Sequence, residues 1–251
     1  MKKLKTNIWC EKPMKENAFA PAKSYLHGQD YFQSVCPKCS YSENIFFHLR
    51  GNMPAEHESE WFDVLLNLAA NPGIRDESSR VAMNVAIGQG PPANSVLAGL
   101  LARSGEDRGA KWIQQVMENL LKLEDGTIPS LDSCRRFSGL GLHFGSPDQR
   151  ASIPASYLRN RGFWGKHSSR LLSESSDANP VLLEGLLAAS LLDLGFNPIT
   201  GALVVHFAAF PSLIAFSLEQ WETGYKEYPG FFEAEAYIYT GPLPGKSEAE
   251  A

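Results

Sequence analysis

The chain has 251 residues, which is enough for one large domain or two small ones. Hydrophobic residues make up 43% of it and charged residues 20%, a balance that indicates a globular protein and excludes a disordered chain. The net charge of −5, without a long basic run, argues against a nucleic-acid-binding protein.

The sequence also lacks the patterns of an exported or membrane-bound protein. Its basic start is not followed by the apolar run of a signal peptide. The longest apolar stretch, residues 201–217, is shorter than the ~20 residues of a membrane-spanning helix. Four cysteines do not suggest a disulfide framework. We therefore expect a cytoplasmic protein without a membrane segment.

Apolar residues recur with helical period along most of the chain, so the sequence predicts an all-α fold. The first two helices are predicted at residues 42–50, ending at Gly51, and 58–70, ending before a Pro-Gly pair. Further helices are predicted at residues 80–87, 94–101, 109–123, 180–194 and 198–220, the last bent at Pro211. Only residues 236–240 have a strand-like pattern, and the Lys-rich start is expected to be frayed.

The middle of the chain differs in composition from both of its flanks. Residues 126–178 are poor in aliphatic side chains and rich in Arg, Ser and Gly, and they lie between two strongly apolar helical blocks. This contrast predicts a separate small lobe, which the chain enters from a larger helical body and from which it returns to that body.

Cys36 and Cys39 form a Cys-x-x-Cys tetrad that has three interpretations. Two thiolates at this spacing form one edge of a zinc site, with Cys10, His27 or His48 as further ligands. A redox pair would need a lowered thiol pKa. The third interpretation, inert buried cysteines, is favoured because no second paired motif follows, so we predict no metal site. Among the six histidines, His206 lies in an apolar helix and is expected to be a core residue.

Polar residues cluster in the glycine-rich stretch 139–151. Gly139 and Gly141 allow a backbone to approach a ligand closely, and His143, Asp148 and Arg150 follow within a few residues. A histidine, a carboxylate and a planar guanidinium together suit a bound carboxylate or phosphate. The sequence therefore predicts a ligand-binding loop formed by these five residues, and an ordinary glycine-rich turn is the alternative.

Several passages together resemble the citrate synthase superfamily, whose short citryl-CoA lyase-like branch has a similar length. The stretch 139–151 resembles the family's GFGHxxYxxxDPRA loop, and residues 179–185 resemble its NVDxxxG motif. Further matches are residues 25–30, 39–54, 88–94, 191–196, 210–220 and 239–242. Their common order and spacing, rather than any one motif, carry the resemblance.

The resemblance implies a helical two-domain fold with a large domain built from both chain ends. Combined with the composition, it predicts an N-terminal arm at 1–24, a large domain at 25–108 and 179–251, and a small domain at 109–178. The cleft between the domains would hold a CoA thioester and a dicarboxylate, with no tightly bound cofactor. The resemblance also implies a dimer, either a homodimer or a heteromer with a citrate synthase-like paralogue.

The catalytic positions that the resemblance implies are substituted here. The family's loop histidine falls on Ala93, its catalytic carboxylate on Val181, its substrate arginine on Ala209 and its last histidine on Phe216. Alanine and valine side chains neither transfer protons nor donate hydrogen bonds. We therefore expect altered or lost standard catalysis.

Two functional hypotheses follow, with a third from another class. In the first, the chain runs altered acyl-CoA chemistry with Glu184 and His143 as catalytic residues. In the second, it is a non-catalytic structural or regulatory subunit that pairs with an active paralogue. The third is a zinc- or redox-responsive module that uses Cys10, Cys36 and Cys39.

Overall fold

The computed structural model describes residues 5–106 and 109–225, except for the side chain of Arg135. This part of the chain is mostly helical, as predicted. In chain order its helices are α1 (Tyr41–Arg50), α2 (Glu56–Ala69), α3 (Glu77–Ala86), α4 (Pro92–Ala102), α5 (Ala110–Glu124), α6 (Gln149–Asn160), α7 (Lys166–Glu174), α8 (Leu183–Asp193), α9 (Pro198–Ala208) and α10 (Phe210–Thr223). A π-helical turn, Tyr31–Val35, precedes α1, and a 3₁₀ segment, Leu131–Phe137, follows α5.

A small antiparallel sheet precedes the helices and was not predicted. Its strands are β1 (Trp9–Pro13), β2 (Pro21–Leu26) and β3 (Gln29–Asp30), with Trp9 opposite Leu26. The side chains of β1 are mostly exposed, so the sequence has no alternation there, and backbone pairing alone identifies the strand. The Lys-rich start that is expected to be frayed precedes this sheet, and residues 1–4 lie outside the described residues.

The helix ends follow the sequence signals. Ser40 caps α1 and forms a capping box with Glu43: the Glu43 N–H donates to Ser40 Oγ at 3.2 Å, and the Ser40 N–H donates to Glu43 Oε2 at 2.7 Å. Gly51 ends the helix in the left-handed region at φ 76°. The stretch predicted as one bent helix, 198–220, is two helices that meet at Ala209.

The main apolar core is built around α5, α8 and α9. Phe46, Phe62 and Phe196 pack ring against ring, with centroids 5.3–5.5 Å apart. Gly201 lets α9 approach α5 closely, since a Cβ there would lie 2.7 Å from the Met117 sulfur. This core takes side chains from α1, α2 and α5 to α9 and so crosses the predicted domain borders at 109 and 178. The division into two domains stays a prediction.

Helices α3, α4 and α10 form a second packing unit with a small core of its own. Ala82, Val96, Leu100 and Leu213 are buried there. The turn between α3 and α4 is fastened to α10 by Trp221, whose indole N–H donates to the Gly90 carbonyl at 2.9 Å. Because these three helices share one core, their packing fixes where the end of α4 lies relative to the main body.

Within the described residues, one stretch is long and apolar enough to cross a membrane, Pro198–Thr223. Of its most apolar window, 44% is buried, and the stretch is divided at Ala209. Its first half packs on α2, α5 and α8 as a core helix does, so it is weak evidence for a membrane span. The strand-like run at 236–240 lies outside the described residues.

Candidate functional site

The glycine-rich stretch 139–151 is bound to the start of α8. The Leu182 N–H donates to the Gly139 carbonyl at 3.0 Å, and the Gly141 N–H donates to the Pro180 carbonyl at 2.8 Å. Leu140 and Val181 form an isolated antiparallel bridge between the two segments. The loop and the α8 N-terminus therefore form one unit, although more than thirty residues separate them in the sequence.

A glycine–glycine crossing makes this approach possible. A Cβ on Gly139 would lie 2.8 Å from the Gly185 Cα, and a Cβ on Gly185 would overlap the Gly139 carbonyl. Gly139 also has a left-handed φ of 76°. The predicted close backbone approach is present, but at Gly139 the approaching group is the backbone of α8 and not a ligand. Neither Gly139 nor Gly141 lines the cavity described below.

Asp148 connects the loop to two helix N-termini. It is 2% exposed, caps α6 and accepts the Leu183 N–H at the start of α8 at 3.1 Å. Arg150 donates to both of its oxygens, from Nε to Oδ1 and from Nη2 to Oδ2, at 2.9 Å each. Burial raises the pKa of the Asp148 carboxyl, but the Arg150 side chain and the Leu183 N–H outweigh it, so the pKa lies below its usual range.

Arg150 joins this carboxylate to His143. Its Nη2 lies 3.2 Å from His143 Nδ1, and because a guanidinium only donates, Nδ1 accepts and carries no proton in this pair. Burial alone would lower the pKa of Arg150, but the bonds to Asp148 outweigh it, so the pKa lies above its usual range. The structure therefore brings together His143, Asp148 and Arg150, three of the five residues predicted for the loop.

A small cavity lies beside Arg150, with a volume of about 30 Å³. Charged groups from four parts of the chain line it: Asp76 before α3, Arg103 after α4, Arg150 on α6 and Glu184 on α8. Glu184 lies in the first turn of α8, where the positive end of the helix dipole favours a carboxylate. A volume of this size holds about one water molecule.

Arg103 is a mostly buried charge in the cavity with one long ion pair. Its side chain is 11% exposed, and its ion pair with Asp76 is long, at 3.8 Å. Among the residues that the structure describes, none accepts a hydrogen bond from this guanidinium. Burial lowers the pKa of Arg103, with Asp76 and Glu184 opposing the shift. A guanidinium that is mostly buried and has unused donors favours the binding of an anion.

The structure separates this cavity from the four positions at which the resemblance implied catalytic residues. Ala93 is exposed in the first turn of α4, and Val181 pairs with Leu140. Ala209 is fully buried between α9 and α10, and Phe216 lies on α10. None of the four lines the cavity. Near the start of α5, the cavity is lined instead by Arg103, Gly109 and Ala110.

Asp76 and Arg103 line the cavity but were not predicted as site residues. Arg103 follows an almost entirely apolar helix, and this isolated cation was the available signal. Asp76 accepts from the Ser78 backbone at 3.0 Å and from its hydroxyl, which is the pattern of a helix cap. Only the packing of α3 on α4 shows that it also faces Arg103.

The cysteine motif shows no metal site in the part of the chain that is described. No group of three or more potential ligands occurs there. His27 and His48 each contact a backbone carbonyl through a ring nitrogen, at 3.3 and 2.9 Å. Burial raises the pKa of the Cys39 thiol, the opposite of what a redox pair needs. The expectation of buried cysteines is wrong: Cys36 is exposed and Cys39 is only half-buried.

Comparisons with known proteins show the fold. No protein-family model matches the sequence, and no curated protein matches it. Citryl-CoA lyase from Hydrogenobacter thermophilus is similar over 98% of this chain and 97% of its own, with 21% identity and a TM-score of 0.77. ATP citrate lyase from Methanothrix soehngenii, in complex with citrate and coenzyme A, is similar over the whole chain and 44% of its own, with 15% identity and a TM-score of 0.70.

A third similar structure is citrate synthase from Thermoplasma acidophilum, in complex with carboxymethyl coenzyme A and oxaloacetate. It is similar over 84% of this chain and 59% of its own, with 15% identity and a TM-score of 0.59. Because all three identities are below 25%, the similarity establishes the architecture and not the activity. The chain has the mostly α-helical fold of citrate synthase and citryl-CoA lyase.

Proposed function

We propose that the cavity binds a carboxylate-bearing substrate and that the chain makes or breaks a carbon–carbon bond next to a CoA thioester. The observation that carries this proposal is the mostly buried Arg103 guanidinium without a hydrogen-bond partner among the described residues. A carboxylate fits its planar fork with two parallel hydrogen bonds. The proteins of this fold that hold citrate, oxaloacetate or citryl-CoA support a dicarboxylate and a CoA thioester as the ligands.

The second guanidinium has a different role in this proposal. Arg150 uses Nε and one terminal nitrogen for Asp148, and that carboxylate is itself fixed by the Leu183 N–H. Its position is therefore set before any ligand arrives, which reduces the entropic cost of binding. We expect Arg103 to supply most of the ligand's hydrogen bonds and Arg150 to orient its second carboxylate.

Glu184 is the proposed proton acceptor. It faces the same cavity as Arg103 and Arg150 and lies in the first turn of α8. In condensation, its carboxylate would remove a proton from the carbon next to the thioester carbonyl, this carbon would attack the keto carbon, and Glu184 would pass the proton to the keto oxygen, which becomes the hydroxyl. In cleavage, Glu184 would take up the hydroxyl proton as the carbon–carbon bond breaks and return it to the same carbon. His143, with Nδ1 accepting from Arg150, would donate from Nε2 to the enol oxygen.

Deuterium exchange into acetyl-CoA tests this assignment. The protein is incubated with acetyl-CoA in D₂O, with and without oxaloacetate, and loss of the methyl proton signal is followed by NMR. We expect exchange by the wild type and a loss of at least ~100-fold with Glu184→Gln, because the amide accepts no proton. The matched control is Glu222→Gln, since Glu222 is exposed on α10. Exchange that is equal in both variants would contradict the role of Glu184.

A second candidate function is a non-catalytic subunit that pairs with an active paralogue. The observation that favours it is the size of the cavity, about 30 Å³, which is too small for a dicarboxylate unless the surrounding helices move. Absence of both exchange and ligand binding in a folded protein would support this alternative. Isolation as a heteromer would then identify the partner.

In either case the four free cysteines support a cytoplasmic location.

A further inference from the structure

A two-residue hairpin turn begins at His143. The His143 N–H donates to the Ser146 carbonyl at 2.7 Å, and the Ser146 N–H donates to the His143 carbonyl at 3.1 Å. The two central residues, Phe144 and Gly145, have φ values of 50° and 79°. A two-residue loop with positive φ at both positions is a type I′ turn, whose first central position favours asparagine, aspartate or glycine. Phenylalanine is therefore an unusual residue at this place.

The backbone strain at Phe144 is not offset by burial of the residue. A bulky side chain at positive φ crowds its own backbone, and Phe144 is 71% exposed, so it gains little from hydrophobic burial. Two other non-glycine residues in the described part of the chain have positive φ, His27 and Gln89. Each of them contacts the carbonyl of a distant residue through a side-chain nitrogen, which a phenyl ring cannot do. Strain that packing does not offset points to a functional role.

The ring of Phe144 contacts the imidazole of His143. Their centroids are 4.4 Å apart and their planes meet at 64°, which is an edge-to-face contact. The same imidazole is held at Nδ1, which lies 3.2 Å from Arg150 Nη2. A rotation of the imidazole would break both contacts. Phe144 and Arg150 therefore act together to fix the orientation of the His143 ring.

We propose that Phe144 is a positioning residue, whose strained turn holds its ring against His143 and so fixes the imidazole that serves the enol oxygen. This inference rests on the proposed function, in which His143 donates from Nε2. A donor that is fixed before the reaction needs no reorganisation in the transition state. Misplacing it should therefore lower kcat and leave KM nearly unchanged.

Two substitutions at position 144 separate the strain from the ring. Phe144→Asn relaxes the turn and removes the ring, whereas Phe144→Tyr keeps both. In the exchange of acetyl-CoA methyl protons, we expect Phe144→Asn to lower kcat at least ~10-fold at nearly constant KM, and Phe144→Tyr to retain activity. The melting temperature should nevertheless rise with Phe144→Asn, by about 2–4 °C. The matched control is Phe19→Asn, since Phe19 is 97% exposed on the β1–β2 connection, and it should change neither quantity.

The ring resonances of His143 give a readout that does not depend on activity. We expect the Cε1–H and Cδ2–H signals, assigned by comparison with His143→Gln, to be displaced by the Phe144 ring in the wild type and in Phe144→Tyr. In Phe144→Asn they should move towards the positions of free histidine.

The outcomes separate this inference from the proposed function. Exchange by the wild type with an equal kcat in Phe144→Asn would overturn the inference and leave the proposed function intact. A lower melting temperature of Phe144→Asn would also overturn it, because the turn would then not be strained. No exchange by the wild type would contradict the proposed function. In that case His143 resonances that shift in Phe144→Asn would support the positioning of the ring, and unchanged resonances would overturn it.

Discussion

The crossing of Gly139 and Gly185 gives the sharpest stability prediction. Gly185→Ala would place a methyl group on the Gly139 carbonyl oxygen, where no flexible side chain can move aside. Overpacking of this kind costs about 1–3 kcal/mol. Loss of the 3.0 Å bond from the Leu182 N–H to Gly139 adds about 1 kcal/mol. Alanine returns at most about 1 kcal/mol as a better helix former.

We therefore expect Gly185→Ala to lower the free energy of unfolding by about 1–3 kcal/mol. Urea denaturation, followed by far-UV circular dichroism, measures this change through the midpoint at constant m-value. The variant should also weaken anion binding, because the crossing holds the loop of Asp148 and Arg150 against the α8 start.

The matched control is Gly201→Ala, which also adds a methyl group inside a helix of the core. The atoms that this methyl would meet are the sulfur and terminal carbon of Met117, at 2.7 Å, and a methionine side chain can change rotamer. We expect a change within about 1 kcal/mol of zero. Equal destabilisation by the two variants would refute the reasoning that backbone contact makes Gly185 irreplaceable.

Three further predictions concern charged and titrating groups. Asp193 accepts from the backbones of His167 and Ser168 at 2.7 and 2.9 Å, so Asp193→Ala should destabilise the protein by about 1–2 kcal/mol in thermal or urea unfolding, with Asp177→Ala as the exposed control. The pKa of Asp148 is lower in the folded protein than in the unfolded chain, where it is about 3.9, so its carboxylate stabilises the fold above that pH, and this stabilisation is lost as pH falls through the folded-state pKa. Asp148→Asn should remove this part of the acid destabilisation, and an unchanged acid profile would contradict the prediction. Burial lowers the pKa of His206, so the unfolded chain binds more protons than the folded protein below about pH 6.5. The free energy of unfolding should therefore fall there as pH decreases, by at most about 1.4 kcal/mol per pH unit. His206→Leu should flatten that slope, and an unchanged slope would exclude His206 as its origin.

Local patterns predicted α1 to α5, α8 and the region of α9 and α10, because an amphipathic helix shows its buried face in the spacing of its own residues. Helices α6 and α7 lie in the stretch 126–178, which is poor in aliphatic residues, and they were not predicted. The glycine at 51 was predicted as the end of α1, and the capping box of Ser40 and Glu43 starts the helix one residue before the predicted position 42. The strand Trp9–Pro13 could not be predicted in this way, since its side chains are exposed and its partner supplies only backbone hydrogen bonds. The predicted core position of His206 is confirmed at 8% exposure.

The candidate site was predictable only where its residues are close in sequence. His143, Asp148 and Arg150 lie within one short loop, and their interactions follow from that proximity. Of these three, only Arg150 lines the cavity. Asp76 and Arg103 reach the cavity only because α3, α4 and α10 share a core, and no local pattern shows this long-range packing. The role of Glu184 stays a prediction, supported by its position in the cavity lining.

Calorimetric titration of the protein with oxaloacetate, citrate and acetyl-CoA tests most directly whether Arg103 holds a carboxylate. We predict binding by the wild type and a loss of about 10- to 100-fold in affinity with Arg103→Met, since a charged hydrogen bond contributes about 1.5–3 kcal/mol. Arg80→Met is the control, because Arg80 is exposed on α3. Equal affinities for the two variants, or no heat from any ligand with folded wild-type protein, would contradict an anion site at Arg103.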